Sequence, residues 1–183
     1  MTLPSLGGLT SLPVHDHPDL LGPTVAAALA DWPHADEVAV VAIDPDLADT
    51  AAMSAAYDLG LDTGANCVVV SGKRDGEERV AACVVLADTR ADVNGLVKRT
   101  LDVRKCSFLS MDRAVEESTM EYGGITPVGL PPAWRVLVDR RVLDIDVAVL
   151  GSGVRRSKLL VPGRLVGELP GAEVVDGLGV PAS

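Results

Sequence analysis

Two apolar runs separated by a short polar segment constrain this chain more than any other feature. Residues 67–71 and 79–86 are rich in Val, Ala and Cys, and the polar segment between them contains the pair Asp75-Gly76. An Asp-Gly pair supplies the left-handed positions that a tight hairpin turn requires. The sequence therefore predicts an antiparallel β-hairpin in the middle of the chain.

The other apolar runs predict further elements around this hairpin. Short Val-, Ile- and Leu-rich runs predict strands at residues 37–43, 136–138, 147–150, 158–161 and 173–175, and an extended segment at 106–111. Apolar residues at helical spacing predict helices at residues 18–31, 49–59, 92–101, 112–118 and 162–169. With about seven strands, mostly in antiparallel hairpins, and five helices, the predicted fold class is α+β.

The helix N-termini are predicted from side chains that accept hydrogen bonds from backbone amides. Thr24, Asp92 and Asp112 each precede an apolar pattern of helical period, and Asp49 or Thr50 precedes another. Short oxygen-bearing side chains are favoured at such positions because the first amides of a helix lack partners within it.

Length and composition indicate one compact domain. A chain of 183 residues fits a single core. Residues 1–17 predict an irregular N-terminal arm, and residues 18–183 a single domain.

No apolar run reaches the about 18 residues of a membrane span, and the N-terminus lacks the basic start of a signal peptide, so a cytoplasmic location is expected. Three cysteines without CxxC spacing predict reduced thiols.

Charge is distributed unevenly along the chain. The net charge is −10, with 4 basic and 15 acidic residues in positions 1–97 but 12 basic and 11 acidic residues in positions 98–183. An acidic protein repels nucleic acid on average, so any phosphate contact must come from a local basic face. Such a face is predicted from Lys98, Arg99, Arg104, Lys105, Arg155 and Arg156, with Lys158 beside them.

Several function classes lack support in the sequence. Only five aromatic residues are present, too few for the successive stacking platforms of general single-strand binders. All three histidines fall within the first 34 residues, which disfavours a Ser-His-Asp triad. The nucleotide-binding patterns GxxxxGK and GxGxxG are absent. The sequence thus predicts neither a metal nor a cofactor.

Two glycine-rich segments remain as candidate site loops. Residues 123–129 hold three glycines and Pro127, a composition that lets backbone amides turn into a cleft. Residues 151–158 join two predicted strands and end in basic side chains. Ordinary turn chemistry accounts for either loop alone, but the presence of both predicts that the two loops converge on one cleft.

A family resemblance rests on several segments in order along the chain. They are residues 64–70, the hairpin that follows, residues 120–129 with the sequence MEYGGITPVG, and residues 151–158 with the sequence GSGVRRSK. Together they resemble the YbaK/EbsC family, the prolyl-tRNA editing domain related to the insertion domain of bacterial prolyl-tRNA synthetases. The resemblance covers roughly residues 49–175.

The resemblance implies a fold, a reaction and a set of site residues. The expected fold is a mixed, mostly antiparallel sheet, partly closed like a barrel and surrounded by helices. The expected reaction is hydrolysis of the ester of mischarged tRNA, typically alanyl- or cysteinyl-tRNA for proline, without metal; the partners are that tRNA and, as an open alternative, a synthetase. Asn66, Gly124 and Lys158 are expected in catalysis. Substrate contacts are expected from Cys67, Tyr122, Gly123, Ile125, Thr126, Pro127, Gly151, Ser152 and Gly153.

One departure from the family pattern leaves two functions open. The family usually carries a lysine at the start of the central strand, in a Lys-Thr-Leu pattern, where this chain has Asn66-Cys67-Val68. Asparagine offers only a neutral amide, so either another cation substitutes, with Lys105 and Lys158 as the candidates, or activity is weakened. The alternative is a non-catalytic module that binds an aminoacyl group or another small ligand.

Overall fold

A computed structural model describes residues 2–60 and 63–182. Within these residues the strands are β1 Leu12–Pro13, β2 Ala39–Ala42, β3 Ala65–Arg74, β4 Glu77–Leu86, β5 Thr89–Ala91, β6 Lys105–Phe108, β7 Arg135–Asp139, β8 Val147–Gly151, β9 Ser157–Pro162, β10 Ala172–Val175 and β11 Gly179–Pro181. The α-helices are α1 Pro23–Ala30, α2 Thr50–Tyr57, α3 Lys98–Thr100, α4 Met111–Ser118 and α5 Gly163–Val166. None of the helices in this part of the chain is both long and apolar enough to cross a bilayer.

The strands form three sheets. The largest has the order β10-β7-β4-β3-β6, a second has the order β1-β2-β9-β8, and β11 pairs with β5. Strand β7 runs parallel to both β4 and β10, and the other pairs are antiparallel. The α+β prediction is confirmed. The expected barrel-like closure is wrong, because each sheet keeps two edges and a single bridge, Gly64 to Val149, connects the two larger sheets among the described residues.

The central hairpin forms as the sequence predicts, and it is longer than predicted. Strands β3 and β4 pair from Ala65 opposite Leu86 to Arg74 opposite Glu77. The turn consists of Asp75 and Gly76, both at positive φ. Opposite charges on facing strands, such as Arg74 and Glu77, support pairing beyond the apolar runs.

Two predicted helix caps are wrong. The helix expected at 18–31 is divided into a 3-10 turn, Pro18–Leu20, and α1, whose N-cap residue is Gly22 and whose first residue is Pro23. Proline is favoured at the first helical position, so the helix begins before Thr24 rather than after it. Helix α4 similarly begins at Met111, with Ser110 and not Asp112 at the cap position.

Two other caps are confirmed. The Asp49 carboxylate accepts a hydrogen bond from the Ala51 amide at 3.0 Å, at the start of α2. The Asp92 carboxylate accepts from the amides of Gly95 and Leu96 at 3.1 and 2.7 Å. The turn after Asp92, Val93–Val97, is a π-helix that leads into α3.

The shortest strands were not predictable from apolar runs. Strands β1, β5 and β11 have two or three residues each, too few to show alternation. Strand β1 lies in the segment predicted as an irregular arm and pairs with β2, and the neighbouring side chains Leu9 and Val14 are buried. This segment therefore covers part of the core.

A buried carboxylate fixes the C-terminal strand to the large sheet. Asp139, at the end of β7, is fully buried and accepts hydrogen bonds from the backbone amides of Arg141 and Gly179 and from the Arg141 guanidinium. Burial by itself raises the pKa of Asp139, but these hydrogen bonds outweigh burial and hold that pKa below its ordinary value. The charged form is therefore the one that stabilises the fold.

We predict that Asp139→Asn lowers the free energy of unfolding by about 2 kcal/mol at pH 7, because a charge-assisted set of hydrogen bonds becomes neutral. A group whose folded pKa is depressed loses its contribution as pH falls through that pKa. Urea unfolding at pH 7 and pH 3 should therefore show the difference between the two proteins shrinking in acid. The control is Asp176→Asn, because Asp176 forms an exposed ion pair with Arg140. For this variant we expect the free energy of unfolding to change by less than about 0.5 kcal/mol. An Asp139→Asn effect that is equal at both pH values would contradict the assignment.

Candidate active site

A cleft of about 480 Å³ opens where the two larger sheets meet. It lies at the start of β3 and the end of β8, and α2 forms its outer wall. Its lining residues are Ala48, Asp49, Met53, Ser54, Leu59, Thr63, Gly64, Ala65, Asn66, Cys67, Val68, Tyr122, Gly123, Ile125, Val149, Leu150, Gly151, Arg155 and Lys158.

Strand register places Asn66 and Lys158 on the same wall of this cleft. Gly64 bridges to Val149 in the parallel sense, and continuing that register by two residues sets Asn66 opposite Gly151; both residues line the cleft. Gly151 in turn pairs with Lys158 across β8 and β9. Neighbouring strands lie about 4.8 Å apart, which puts the Cα atoms of Asn66 and Lys158 about 10 Å apart.

Lys158 is a buried cation inside the cleft. Only 8% of the residue is exposed, and its ammonium Nζ donates a hydrogen bond to the Gly123 carbonyl oxygen at 2.9 Å. Burial, with a smaller contribution from the Arg155 charge, lowers the pKa of Lys158 to about 8, although the Asp49 carboxylate acts in the opposite direction. Lys158 is therefore mostly charged at neutral pH and close to the point at which it loses its proton.

The glycines of the two loops serve close backbone packing rather than ligand approach. A Cβ atom on Gly151 would lie 2.4 Å from the Gly124 carbonyl oxygen, and one on Gly124 would lie 2.6 Å from the Val154 backbone. A Cβ on Gly153 would meet the Gly22 backbone at 2.9 Å. The missing side chains thus leave space for backbone atoms of this chain, contrary to the sequence-based interpretation.

Gly124 does not offer its amide to the cleft. That amide donates to the Glu121 carbonyl oxygen at 2.9 Å, and the Gly124 carbonyl accepts from the Gly153 amide at 2.8 Å. Gly124 is also buried and lies outside the cleft lining. Its expected role as a backbone donor to a substrate carbonyl is therefore corrected: Gly124 joins the two loops.

Four other residues expected to contact substrate are buried behind the cleft surface. They are Thr126, Pro127, Ser152 and Gly153. The Ser152 hydroxyl lies 2.8 Å from the Ser157 hydroxyl and donates within its own loop. These residues shape the wall and do not reach the substrate space.

The other expected contacts do converge on the cleft. They are Asn66, Cys67, Tyr122, Gly123, Ile125, Gly151 and Lys158, joined by Arg155. Desolvation raises the pKa of the Cys67 thiol, with a smaller contribution from Cys83. A neutral thiol is a poor nucleophile, so Cys67 contributes to the shape of the cleft and not to covalent chemistry at neutral pH.

The expected basic face is divided into two patches. Arg155 lines the cleft, and the neighbouring Arg156 is exposed. The other four residues, Lys98, Arg99, Arg104 and Lys105, lie near the hairpin end of β3, where Lys105 pairs with Lys73. Seven residues of strand separate Asn66 from Lys73, which corresponds to about 23 Å.

The contribution of α2 and the loop after it is not apparent in the sequence. Asp49, Met53, Ser54 and Leu59 line the cleft. From the sequence, Asp49 is recognisable only as a helix cap, and Met53 and Leu59 only as part of an apolar helical segment. No local signal distinguishes side chains that face the core from those that face a cleft. Among residues 2–60 and 63–182, no group of three or more His, Cys, Asp or Glu side chains is arranged to hold a metal ion.

Comparison with known proteins matches this part of the chain. The model of the aminoacyl-tRNA editing domain family matches residues 44–166, a range that includes every residue lining the cleft. The fold is similar to the crystal structure of a candidate trans-editing enzyme for prolyl-tRNA synthetase, with 19% identity over 85% of this chain and 94% of that chain and a TM-score of 0.72.

Two further solved structures share the fold. The hypothetical protein APE2540 is 23% identical, with 77% of this chain and 90% of that chain covered and a TM-score of 0.67. A protein from work on epitope backbone grafting is 18% identical, with 85% and 97% covered and a TM-score of 0.71. The similarity holds at low identity and concerns the architecture.

We predict that Lys158→Met is more stable than the wild type at pH 7, by about 1 to 3 kcal/mol, because it removes a buried charge. The folded-state pKa of Lys158, about 8, lies below its ordinary value of 10.5, so between these values the unfolded chain binds more protons and wild-type stability rises with pH. Urea unfolding from pH 7 to pH 10.5 should show the difference between the two proteins diminishing. Lys105→Met, in an exposed position, serves as the control. A difference independent of pH would mean that Lys158 is not buried as a cation.

Proposed function

This chain belongs to the aminoacyl-tRNA editing domain family, and on that premise we propose that it hydrolyses, in trans, the ester of mischarged tRNA. The observation that carries the proposal is the buried Lys158 ammonium, held against the Gly123 carbonyl in the cleft. The similar fold of a candidate trans-editing enzyme for prolyl-tRNA synthetase supports a link to prolyl-tRNA. The family resemblance implies alanyl- or cysteinyl-tRNA for proline as the substrate.

The proposed reaction is attack of water on the ester carbonyl. The oxygen of water bonds to the carbonyl carbon, and the bond from that carbon to the ribose oxygen breaks. One proton of the water passes to the ribose oxygen, which gives the free amino acid and uncharged tRNA. The family resemblance implies that the substrate's own ribose hydroxyl helps to position the water.

Lys158 supplies the positive charge for this step. Negative charge develops on the carbonyl oxygen as water attacks, and a fixed donor in a partly desolvated site stabilises that charge strongly. In this proposal the Lys158 ammonium replaces the lysine that the family usually carries at position 66, and Asn66 contributes a neutral amide on the same wall. Lys105, the other candidate from the sequence, pairs with Lys73 at the hairpin end of β3.

The cleft side chains define the acyl pocket in this proposal. Met53, Ile125 and Val149 give it apolar walls, which suits a small side chain. Such walls distinguish substrates that differ by one methylene by only about 1 to 3 kcal/mol. The choice among small amino acids therefore depends on how these walls pack.

We predict that Lys158→Met slows single-turnover deacylation of alanyl- or cysteinyl-tRNA for proline by about 100-fold, the usual effect of removing one such donor. Asn66→Lys in the Lys158→Met background should restore at least about 10-fold of this loss, because a long side chain from position 66 brings a cation to the same wall. Asn66→Lys alone should raise the wild-type rate. Lys73→Met, which removes an exposed lysine at the hairpin end of β3, is the matched control and should leave the rate unchanged.

The pH dependence separates a cation from a general base at Lys158. If the ammonium stabilises negative charge, the enzymatic rate should fall as pH rises through about 8, where Lys158 loses its proton. A rate that rises through this range would assign Lys158 to proton abstraction instead. A wild type at the uncatalysed rate on every mischarged tRNA tested, unchanged by Asn66→Lys, would contradict hydrolysis and favour the binding module.

We predict that tRNA binds through Arg155 and Arg156, because residues 1–97 carry an excess of 11 acidic side chains that repels phosphate. Arg156→Glu should weaken tRNA binding several-fold and reduce the salt dependence of the affinity by about one phosphate contact. Lys105→Glu tests whether the tRNA also reaches the second patch. Arg140→Glu, which changes the net charge equally, is the control. Equal losses for Arg156→Glu and Arg140→Glu would indicate a general charge effect and no defined face.

A further inference from the structure

Tyr122 is placed at the cleft in a way that the hydrolytic step does not explain. The residue is 57% exposed and lines the cleft. Of the five aromatic residues, Trp32 and Trp134 are buried, and the Tyr57 hydroxyl accepts a hydrogen bond from the Asp44 amide. Phe108 is exposed on β6. Among the described residues, therefore, Tyr122 alone presents an aromatic ring to the cleft.

Arg155 holds this ring in position. The carbon at the centre of the Arg155 guanidinium lies 5.7 Å from the centre of the Tyr122 ring, within cation–π range. The guanidinium Nε donates to the Pro45 carbonyl oxygen at 2.9 Å, and the Arg155 backbone amide donates to the Glu121 carboxylate at 2.6 Å. One face of the ring is thus covered by a cation that the protein itself fixes, and the exposed surface of Tyr122 faces outward.

The position of the ring relative to Lys158 defines what it can bind. Tyr122 directly precedes Gly123, whose carbonyl oxygen accepts the Lys158 hydrogen bond, and consecutive Cα atoms lie about 3.8 Å apart. In an aminoacyl-tRNA the ester is on the ribose of the terminal adenosine, so the adenine base lies one sugar ring away from the reacting carbonyl. A substrate with its carbonyl at Lys158 has its base at the rim of the cleft, where Tyr122 lies.

We propose that Tyr122 stacks on the adenine of the tRNA's terminal nucleotide and that Arg155 preorganises the ring for this contact. The inference rests on the proposed function and names the nucleotide subsite of the same cleft. A single platform suffices for one base, since stacking on one ring strengthens binding about 10-fold. This explains how a chain with few aromatic residues, unable to build a ladder of rings, still orients the nucleotide that carries the ester.

Binding of two uncharged tRNAs tests the subsite independently of hydrolysis. One tRNA ends in the complete CCA sequence, and the other lacks the terminal adenosine. The wild type should bind the complete tRNA about 10-fold more tightly. Tyr122→Leu should lose this preference, whereas Tyr122→Phe, which retains the ring, should keep it. Phe108→Leu is the matched control, because it removes an exposed ring on β6 and should leave the preference unchanged.

Single-turnover deacylation by the same variants separates failure of the subsite from failure of the proposed function. Tyr122→Leu should raise the protein concentration needed for half-maximal rate by about 10-fold, with a smaller change in the rate at saturation. A wild type that deacylates, but whose preference for the terminal adenosine survives in Tyr122→Leu, would overturn the subsite and leave the hydrolase intact. A wild type that prefers the complete tRNA without deacylating it would support the subsite and overturn hydrolysis. No preference in the wild type would overturn the subsite in either case.

Discussion

Backbone-to-backbone packing between two loops is the constraint on which the cleft depends. Gly124 and Gly151 approach so closely that a methyl group on either would overlap backbone atoms of the opposing loop. Gly153 makes the same kind of approach to Gly22, at the start of α1. Interiors are too closely packed to absorb such an overlap, so these glycines fix how the loops, the helix and the end of β8 fit together.

The same packing determines the state of the lysine. Because the loop of residues 123–129 lies over β9, the Gly123 carbonyl meets the Lys158 ammonium and the side chain is removed from water. Burying a cation against a neutral carbonyl oxygen is costly, and the lowered pKa of Lys158 reflects that cost. Charged groups with a strongly shifted pKa cluster at functional sites, whereas a lysine that serves only solubility remains in solvent.

The sequence could predict the features that arise from local physics. The β3–β4 hairpin follows from two apolar runs and an Asp-Gly turn, and the Asp49 and Asp92 caps follow from amides that need acceptors. Features that depend on partners distant in the chain were not accessible. The pairing of β5 with β11 joins three-residue strands that are far apart in the sequence, one in the middle of the chain and one near residue 180. The contribution of Met53 to the cleft depends on where α2 packs. Residues of both glycine loops lie at the cleft, but the glycines make room for backbone atoms of this chain. Composition does not distinguish space for a ligand from space for another backbone.

The replacement at position 66 illustrates the difference between a sequence motif and the three-dimensional arrangement of a site. A motif assigns a charge to a residue number, whereas a reaction requires the charge at a point in space. Position 66 on β3 and position 158 on β9 lie on either side of Gly151, so a side chain the length of lysine can reach the same region from either strand. In contrast to an exposed lysine, Lys158 lies in surroundings, including Arg155, that lower its pKa to about 8. The loss of a motif residue is therefore weak evidence for loss of activity while the same wall of the cleft still carries a desolvated cation, Lys158.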